Sequence, residues 1–204
     1  MEWSAAMLGI FLDTETNGLN AQKHRVLEIA FQIVDVVTGE VKERFHALIS
    51  QTPEDWKRSD PESLKVTGFT WEEVSKGQKA AAVANQIKEL FARLGIKRGG
   101  AVFICQNPSF DRAFFCQLIE PETQELLLWP YHWLDLASMF WSESIHRGKK
   151  DPQLFPWNTG ISKDRIAATY QLKPEGKPHR AMNGVNHLLL CYESVVGFPN
   201  KPKA

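Results

Sequence analysis

The stretch Phe11-Leu-Asp-Thr-Glu-Thr-Asn-Gly-Leu19 constrains this chain more than any other. A short apolar run, Met7 to Leu12, stops at Asp13, and a second carboxylate follows two positions later at Glu15. An apolar run this short, bounded by turn residues, suits a buried strand. Strand side chains alternate between faces, so Asp13 and Glu15 point the same way. Two like charges side by side repel, and each is costly to desolvate. A divalent cation between them removes both penalties. The residues alone leave a second reading open, in which Asp13 caps the Asn17-Gly18 turn and Glu15 is solvated.

Strand signals continue after that turn. Val26 to Val37 is rich in β-branched and apolar residues, Thr38-Gly39 turns the chain, and Val41 to Ile49 alternates. Together the three segments predict an antiparallel meander. The character then changes to helix over Pro61–Gly68 and over Thr70–Leu94, where Thr70 and Glu73 have capping-box spacing and Gly95 fits a helix end. A short strand at Ala101–Cys105 precedes helices at Ser109–Ile119 and from Pro121. His132–Leu134 reads as a last strand before a helix at Leu136–Ser144, and Arg147–Asn158 as a mobile loop. Helices at Ser162–Tyr170 and about Arg180–Val196 complete the chain. Strands first, then strands alternating with helices, predict one α/β domain over residues 1–204, a mixed sheet flanked by helices.

The chain has 204 residues, of which 43% are hydrophobic, a size that suits one domain with a full core. Its net charge is zero, so no global field draws it to nucleic acid or to an acidic membrane. A protein that coats a polymer is usually basic. A catalyst that grips only a strand end need not be, because bound metal ions supply positive charge locally. The three cysteines, Cys105, Cys116 and Cys191, lack metal-like spacing and read as reduced. With no apolar run long enough to span a membrane and no signal-peptide pattern at Met1-Glu-Trp-Ser, the expected location is cytoplasmic.

Two further segments carry candidate chemistry. Asn107-Pro-Ser-Phe-Asp111 follows the Ala101–Cys105 strand and places Asp111 at a helix start, where the helix dipole alone already favours a carboxylate. His179 opens the last helix after Pro178, a place where a histidine is often a capping or surface residue. In order along the chain, Asp-x-Glu, a distant Asp and a late His resemble the DEDDh exonuclease family. Asp13-Thr-Glu-Thr-Asn-Gly-Leu19 is similar to its first motif and Gln106-Asn-Pro-Ser-Phe-Asp111 to its second. Ile161 to Ala181 is similar to the approach to its third, and Trp133-Leu-Asp135-Leu to a family strand-to-helix turn.

The resemblance implies a ribonuclease H-like sheet and a metal-dependent 3′→5′ exonuclease acting on single-stranded DNA or RNA ends. It implies two ions, Mg²⁺ or Mn²⁺, since a pair of cations activates water and stabilises both the attacked phosphate and the leaving oxygen. Asp13 would bridge them, Glu15 would hold the ion carrying the nucleophilic water, and Asp111 would serve the second. His179 would be the general base. Asn17 and Leu19 would border the terminal nucleotide, with Leu19 as a wedge, and Asn107 would hold backbone near the site. The family's fourth acid lies five residues after the histidine, and here that residue is Gly184. Asn186, on one helical face with Asn183, is the residue expected to take the acid's place. An amide offers a neutral oxygen and no charge, so metal binding is expected to weaken. The alternative is a module of the same fold that binds strand ends without cutting. Lys149, Lys150, Lys163, Arg165, Lys173, Lys177 and Arg180 form a basic group that could contact phosphates or simply be solvated, and the tryptophans could include a base-stacking platform.

Overall fold

The structure, a computed structural model, describes residues 7–201. Strands β1 (Leu8–Thr16), β2 (Val26–Asp35) and β3 (Val41–Leu48) form the antiparallel meander, while β4 (Ala101–Cys105) and β5 (Trp133–Asp135) add in parallel on the other side of β1. The sheet order is β3-β2-β1-β4-β5. Strand β2 is buried at every position because it lies between two neighbours and under helices on both faces, whereas β3, at the edge, alternates exposed and covered residues.

Helices α1 (Pro53–Lys57), α2 (Pro61–Thr67), α3 (Trp71–Val74) and α4 (Ala80–Arg93) follow the meander. Next come α5 (Pro108–Leu118), α6 (Pro121–Leu126), α7 (Leu136–Gly148), α8 (Pro156–Thr159), α9 (Lys163–Thr169) and α10 (Ala181–Val195). The side-chain period of two in β1 sorts them into layers. Ile10 and Leu12 enter one core with Val83, Ile87 and Phe91 of α4 and Phe114 and Phe115 of α5. Phe11 enters a second core with Phe140 of α7, Ile166 of α9 and Val185, Leu188 and Tyr192 of α10. Each fully buried ring or branched chain contributes roughly 1.5–3 kcal/mol. By the same alternation Asp13 and Glu15, in phase with Phe11, turn toward α10, and Thr14, in phase with Leu12, turns toward α5.

Two expectations are corrected. The single helix over Thr70–Leu94 is broken into α3 and α4, since residues between them lie against the end of β3. Gln78 N donates to Leu48 O and Ser50 N to Gln78 O, both at 2.8 Å. A Cβ on Gly77 would lie 2.7 Å from Ser50 N, so glycine is what lets the two backbones meet. The Arg147–Asn158 stretch is not a plain loop. Helix α7 runs on to Gly148, and a 3₁₀ turn at Pro152–Leu154 and α8 follow. Phe155 sits where a Gly148 side chain would be, which ties this segment to α7. No described helix is long and apolar enough to cross a membrane.

Candidate nuclease site

The end of β1 is a place where backbone partners run out. Strand β4 pairs with β1 only from Leu8 to Phe11. Beyond it Thr14 has lost its partner on that side, and Asp111 of α5 supplies one. Its Oδ1 accepts from Thr14 N at 3.0 Å and from Thr14 Oγ1 at 2.8 Å. A buried amide left unpaired is costly, so this bond fixes Asp111 beside Asp13. Asn107 starts α5 from a left-handed backbone (φ 58°), held by its N–H on Asp135 Oδ1 at 3.0 Å and by Ser109 Oγ on its Oδ1 at 2.7 Å. Asp135 also caps α7, so the start of α5 and the end of β5 share one carboxylate.

Burial dominates the electrostatics here. It raises Asp13 above the usual carboxylate range against the pull of Lys163. Burial, and then the charge of Asp13, pushes Glu15 up to about 8 and raises Asp111 strongly. A cation at this cluster would ease the ionisation of Glu15 and Asp111.

The other wall is α10. Its N-terminus is not capped by its own N-cap side chain. Glu28 of β2 reaches across instead, its Oε2 accepting from Ala181 N at 2.6 Å while its Oε1 meets His46 Nε2 at 2.6 Å. That anchor sets where His179 and Gly184 stand. The His179 N–H donates to Val66 O at 3.2 Å, and its Nδ1 faces Glu175 Oε1 at 3.5 Å. Gly184 lies directly on Asp13, and a Cβ there would come 2.2 Å from Asp13 Oδ2. The family spacing therefore holds, since the fifth residue after His179 does reach the carboxylates. It brings no acid, and the Asp13 carboxylate occupies the room a side chain there would need.

Asn186 does not take the acid's place. It is exposed, and its Oδ1 accepts from Gln32 Nε2 at 2.6 Å. Gln32 lies four residues along β2 from Glu28, on the same strand face, so α10 presents Gly184 and not Asn186 to Asp13. Asn17 is corrected as well. It is fully buried, its Nδ2 donating to Asp55 O and Ser59 Oγ and its Oδ1 accepting from Arg25 N at 2.6 Å. No polar atom of that side chain is left for a substrate. Leu19 is by contrast 79% exposed. With Asn107, Phe110 and Ser109 it lines an open cleft of about 570 Å³.

Two residues with a large part in the site were missed or misread from sequence. Lys163, grouped above with candidate phosphate contacts, points inward, 3.0 Å from Asp13 Oδ1 and 3.1 Å from Glu175 Oε2. Glu175 is itself buried. Despite burial, which raises it, His187 and Lys163 draw it down to about 2. The only available signal was an acid between Pro174 and Pro178, four residues before His179, which no simple pattern singles out. Arg180 is also spent internally, on Thr67 O, on Glu73 and over the Phe69 ring. Among the tryptophans, Trp129 is buried and Trp133 stacks on Phe103, whereas Trp141 and Trp157 are exposed.

The residues as placed do not fit a pair of divalent ions. One oxygen of Asp13 is bonded to an ammonium, the fourth acid is a glycine, and among the described residues no group of three or more His, Cys, Asp or Glu side chains is arranged to hold an ion.

Comparison with known proteins agrees with the fold. No curated protein matches the sequence. Cell-death related nuclease 4 (CRN-4) superposes with a TM-score of 0.69 at 16% identity, over 96% of this chain and 66% of that one. The zinc-bound E. coli exonuclease I–ssDNA complex gives 0.67 at 16% identity, over 92% and 40%. Exonuclease I from Methylocaldum szegediense gives 0.68 at 14% identity, over 92% and 40%. The chain thus spans about two fifths of the exonuclease I chains. These similarities show the ribonuclease H-like exonuclease fold. The family itself is identified by a match over residues 10–186 to the RNase T-type exonucleases, which generally use divalent metal ions. This chain belongs to that DEDD exonuclease family.

Proposed function

We propose that this chain acts at the 3′ ends of single-stranded DNA or RNA and releases nucleoside 5′-monophosphates slowly. The observation that carries the reading is the convergence of Asp13, Glu15 and Asp111 at the end of β1, beside the cleft of Leu19 and Asn107 and across from His179. The ssDNA-bound exonuclease I structures support a single strand as the ligand. Leu19 would wedge against the terminal base, and the α5 start around Asn107 would hold the backbone. With Nδ1 turned to Glu175, His179 keeps Nε2 for withdrawing a proton from the attacking water. The cofactor in this reading is Mg²⁺ or Mn²⁺, which would supply the charge that lets Glu15 and Asp111 ionise together. The chain is expected to work in the cytoplasm.

A second reading, a module that binds ends without cutting, is favoured by Gly184 and by the Lys163 contact on Asp13. A 5′-labelled single strand incubated with Mg²⁺, Mn²⁺ or EDTA separates the two. The first reading expects slow shortening from the 3′ end, fastest in Mn²⁺, absent in EDTA, with a circular strand left intact. An inert protein that still binds the strand by fluorescence anisotropy leaves the second reading standing. Cuts within the circle overturn both.

A further inference from the structure

The Lys163 ammonium is buried among oxygens at the edge of the carboxylate cluster. An ammonium carries three N–H donors, and Lys163 faces three oxygens, Asp13 Oδ1 at 3.0 Å, Glu175 Oε2 at 3.1 Å and the Gly184 carbonyl at 3.5 Å. Its side chain is only 14% exposed. The stem comes from the first residue of α9, whose backbone is fixed by the Ser162 cap and by Cys191 Sγ on Lys163 O at 3.7 Å. Burying a charge this deeply is tolerated only with opposite charge at contact distance, and two carboxylates supply it. The Gly184 geometry completes the arrangement. A side chain there would collide with Asp13 Oδ2, so the glycine that removes the fourth acid also lets Asp13 turn onto the lysine. Glu175 provides the second carboxylate. A glycine at the fourth-acid position, an acid at Glu175 and a buried ammonium between Glu175 and Asp13 form one consistent arrangement.

We infer that Lys163 is the resident cation of this centre, its ammonium standing in for one of the two divalent ions, so that the site takes at most one. The inference rests on the exonuclease reading of the site but not on the rate of the reaction. A covalently tethered +1 charge replaces a mobile +2 charge. It cannot be removed by chelators and cannot carry a water as a ligand.

The test is to count ions. Mn²⁺ is titrated into the folded protein and the bound number read by electron paramagnetic resonance and by calorimetry, for the parent, Lys163→Met and Lys163→Gln. The parent is expected to bind no more than one ion, and at least one of the uncharged variants one more than the parent. A variant that folds only when Mn²⁺ is present, and then holds the additional ion, is the same result. A parent that binds two ions overturns the inference, as do two variants that gain none whether folded alone or offered Mn²⁺. The outcome is independent of nuclease activity: a parent that trims 3′ ends with two ions keeps the function and loses the inference, and an inert parent with one ion does the reverse.

Discussion

The two walls of the site are held by different means. On the β1–α5 side the carboxylates are fixed by short bonds to backbone, Asp111 to Thr14 N and the α5 start to Asp135, at the ends of strands whose register leaves no freedom. On the α9–α10 side, long side chains meet one another, Lys163 with Glu175 and Asp13, and His179 and His187 with Glu175. The first wall carries the two segments that resemble the family's motifs, and the second carries a glycine where the resemblance places an acid. A carboxylate that completes a backbone ladder cannot change without unfolding its surroundings, whereas one ion pair can be exchanged for another of equal charge. Divergence is therefore expected on the ion-paired wall.

The largest effect should come from the hub of that wall. Glu175 balances a buried ammonium, so Glu175→Ala is expected to cost on the order of 3 kcal/mol. The pH dependence carries the same sign. Glu175 sits at about 2 when folded against 4.5 when free, so its contribution is complete above 4.5 and is lost as pH falls toward 2. Thermal unfolding followed by circular dichroism should show the parent weakening through that window and Glu175→Gln, already without the charge, changing less. Parallel curves would mean that the wall does not depend on this ion pair.

On the opposite wall the counterpart is Asn17. Its three hydrogen bonds tie the β1 end to Arg25 and to α1, and Asn17→Ala leaves the Arg25 N–H and the Asp55 carbonyl without that partner. About 2 kcal/mol of stability should be lost, read from urea midpoints. A loss below about 0.5 kcal/mol, with a large fall in strand binding, would return Asn17 to the substrate and undo the contrast between the walls.

How much of this was legible follows from the same division. The meander, both parallel strands and the helix that carries Asp111 could be read from sequence because alternation and turn residues are local signals. The convergence of Asp13 and Asp111 was readable only through the order of motifs, since 97 residues separate Asp111 from its partner Thr14. The break between α3 and α4 was hidden because Gly77 serves a distant strand and not its own helix. Asn17 looked like a substrate contact because a polar residue at a turn gives no sign of how many buried partners it will meet. Lys163 and Glu175 were invisible for a related reason. A lysine in a basic stretch and a glutamate in a proline-bracketed segment are surface residues by every local rule, and only their mutual contact makes burial possible.

A smaller effect, of opposite sign, is expected from Glu15. Folding raises it from 4.5 to about 8, so it is neutral in both states at low pH and becomes a burden as the unfolded chain ionises. Parent stability should therefore fall as pH rises from 4.5 to 8. Glu15→Gln, measured in EDTA, should lessen that decline and gain on the order of 1–2 kcal/mol at the alkaline end. A decline that persists unchanged in the variant would place the burden elsewhere among the buried acids.

The smallest effect on stability belongs to Leu19, two residues from Asn17 on the same turn. Its side chain stands in solvent over the cleft and loses nothing when the chain unfolds, so Leu19→Ala should leave the unfolding midpoint within about 0.5 kcal/mol. Binding is where it should register. An apolar wedge against a terminal base buries surface only when the strand is present, and its removal should weaken affinity for a single-stranded 3′ end by roughly 1 kcal/mol, about fivefold. Anisotropy with 3′-hydroxyl and 3′-blocked oligonucleotides separates an end contact from a general one, because a bulky 3′ block should already have displaced the base from Leu19. The variant should then differ from the parent on the free end and match it on the blocked one. Equal weakening on both would make Leu19 a general contact along the strand, and no weakening on either would leave the cleft without a wedge. Paired with Asn17→Ala, the measurement asks whether neighbouring residues of one motif divide cleanly, one holding the wall and the other meeting the ligand.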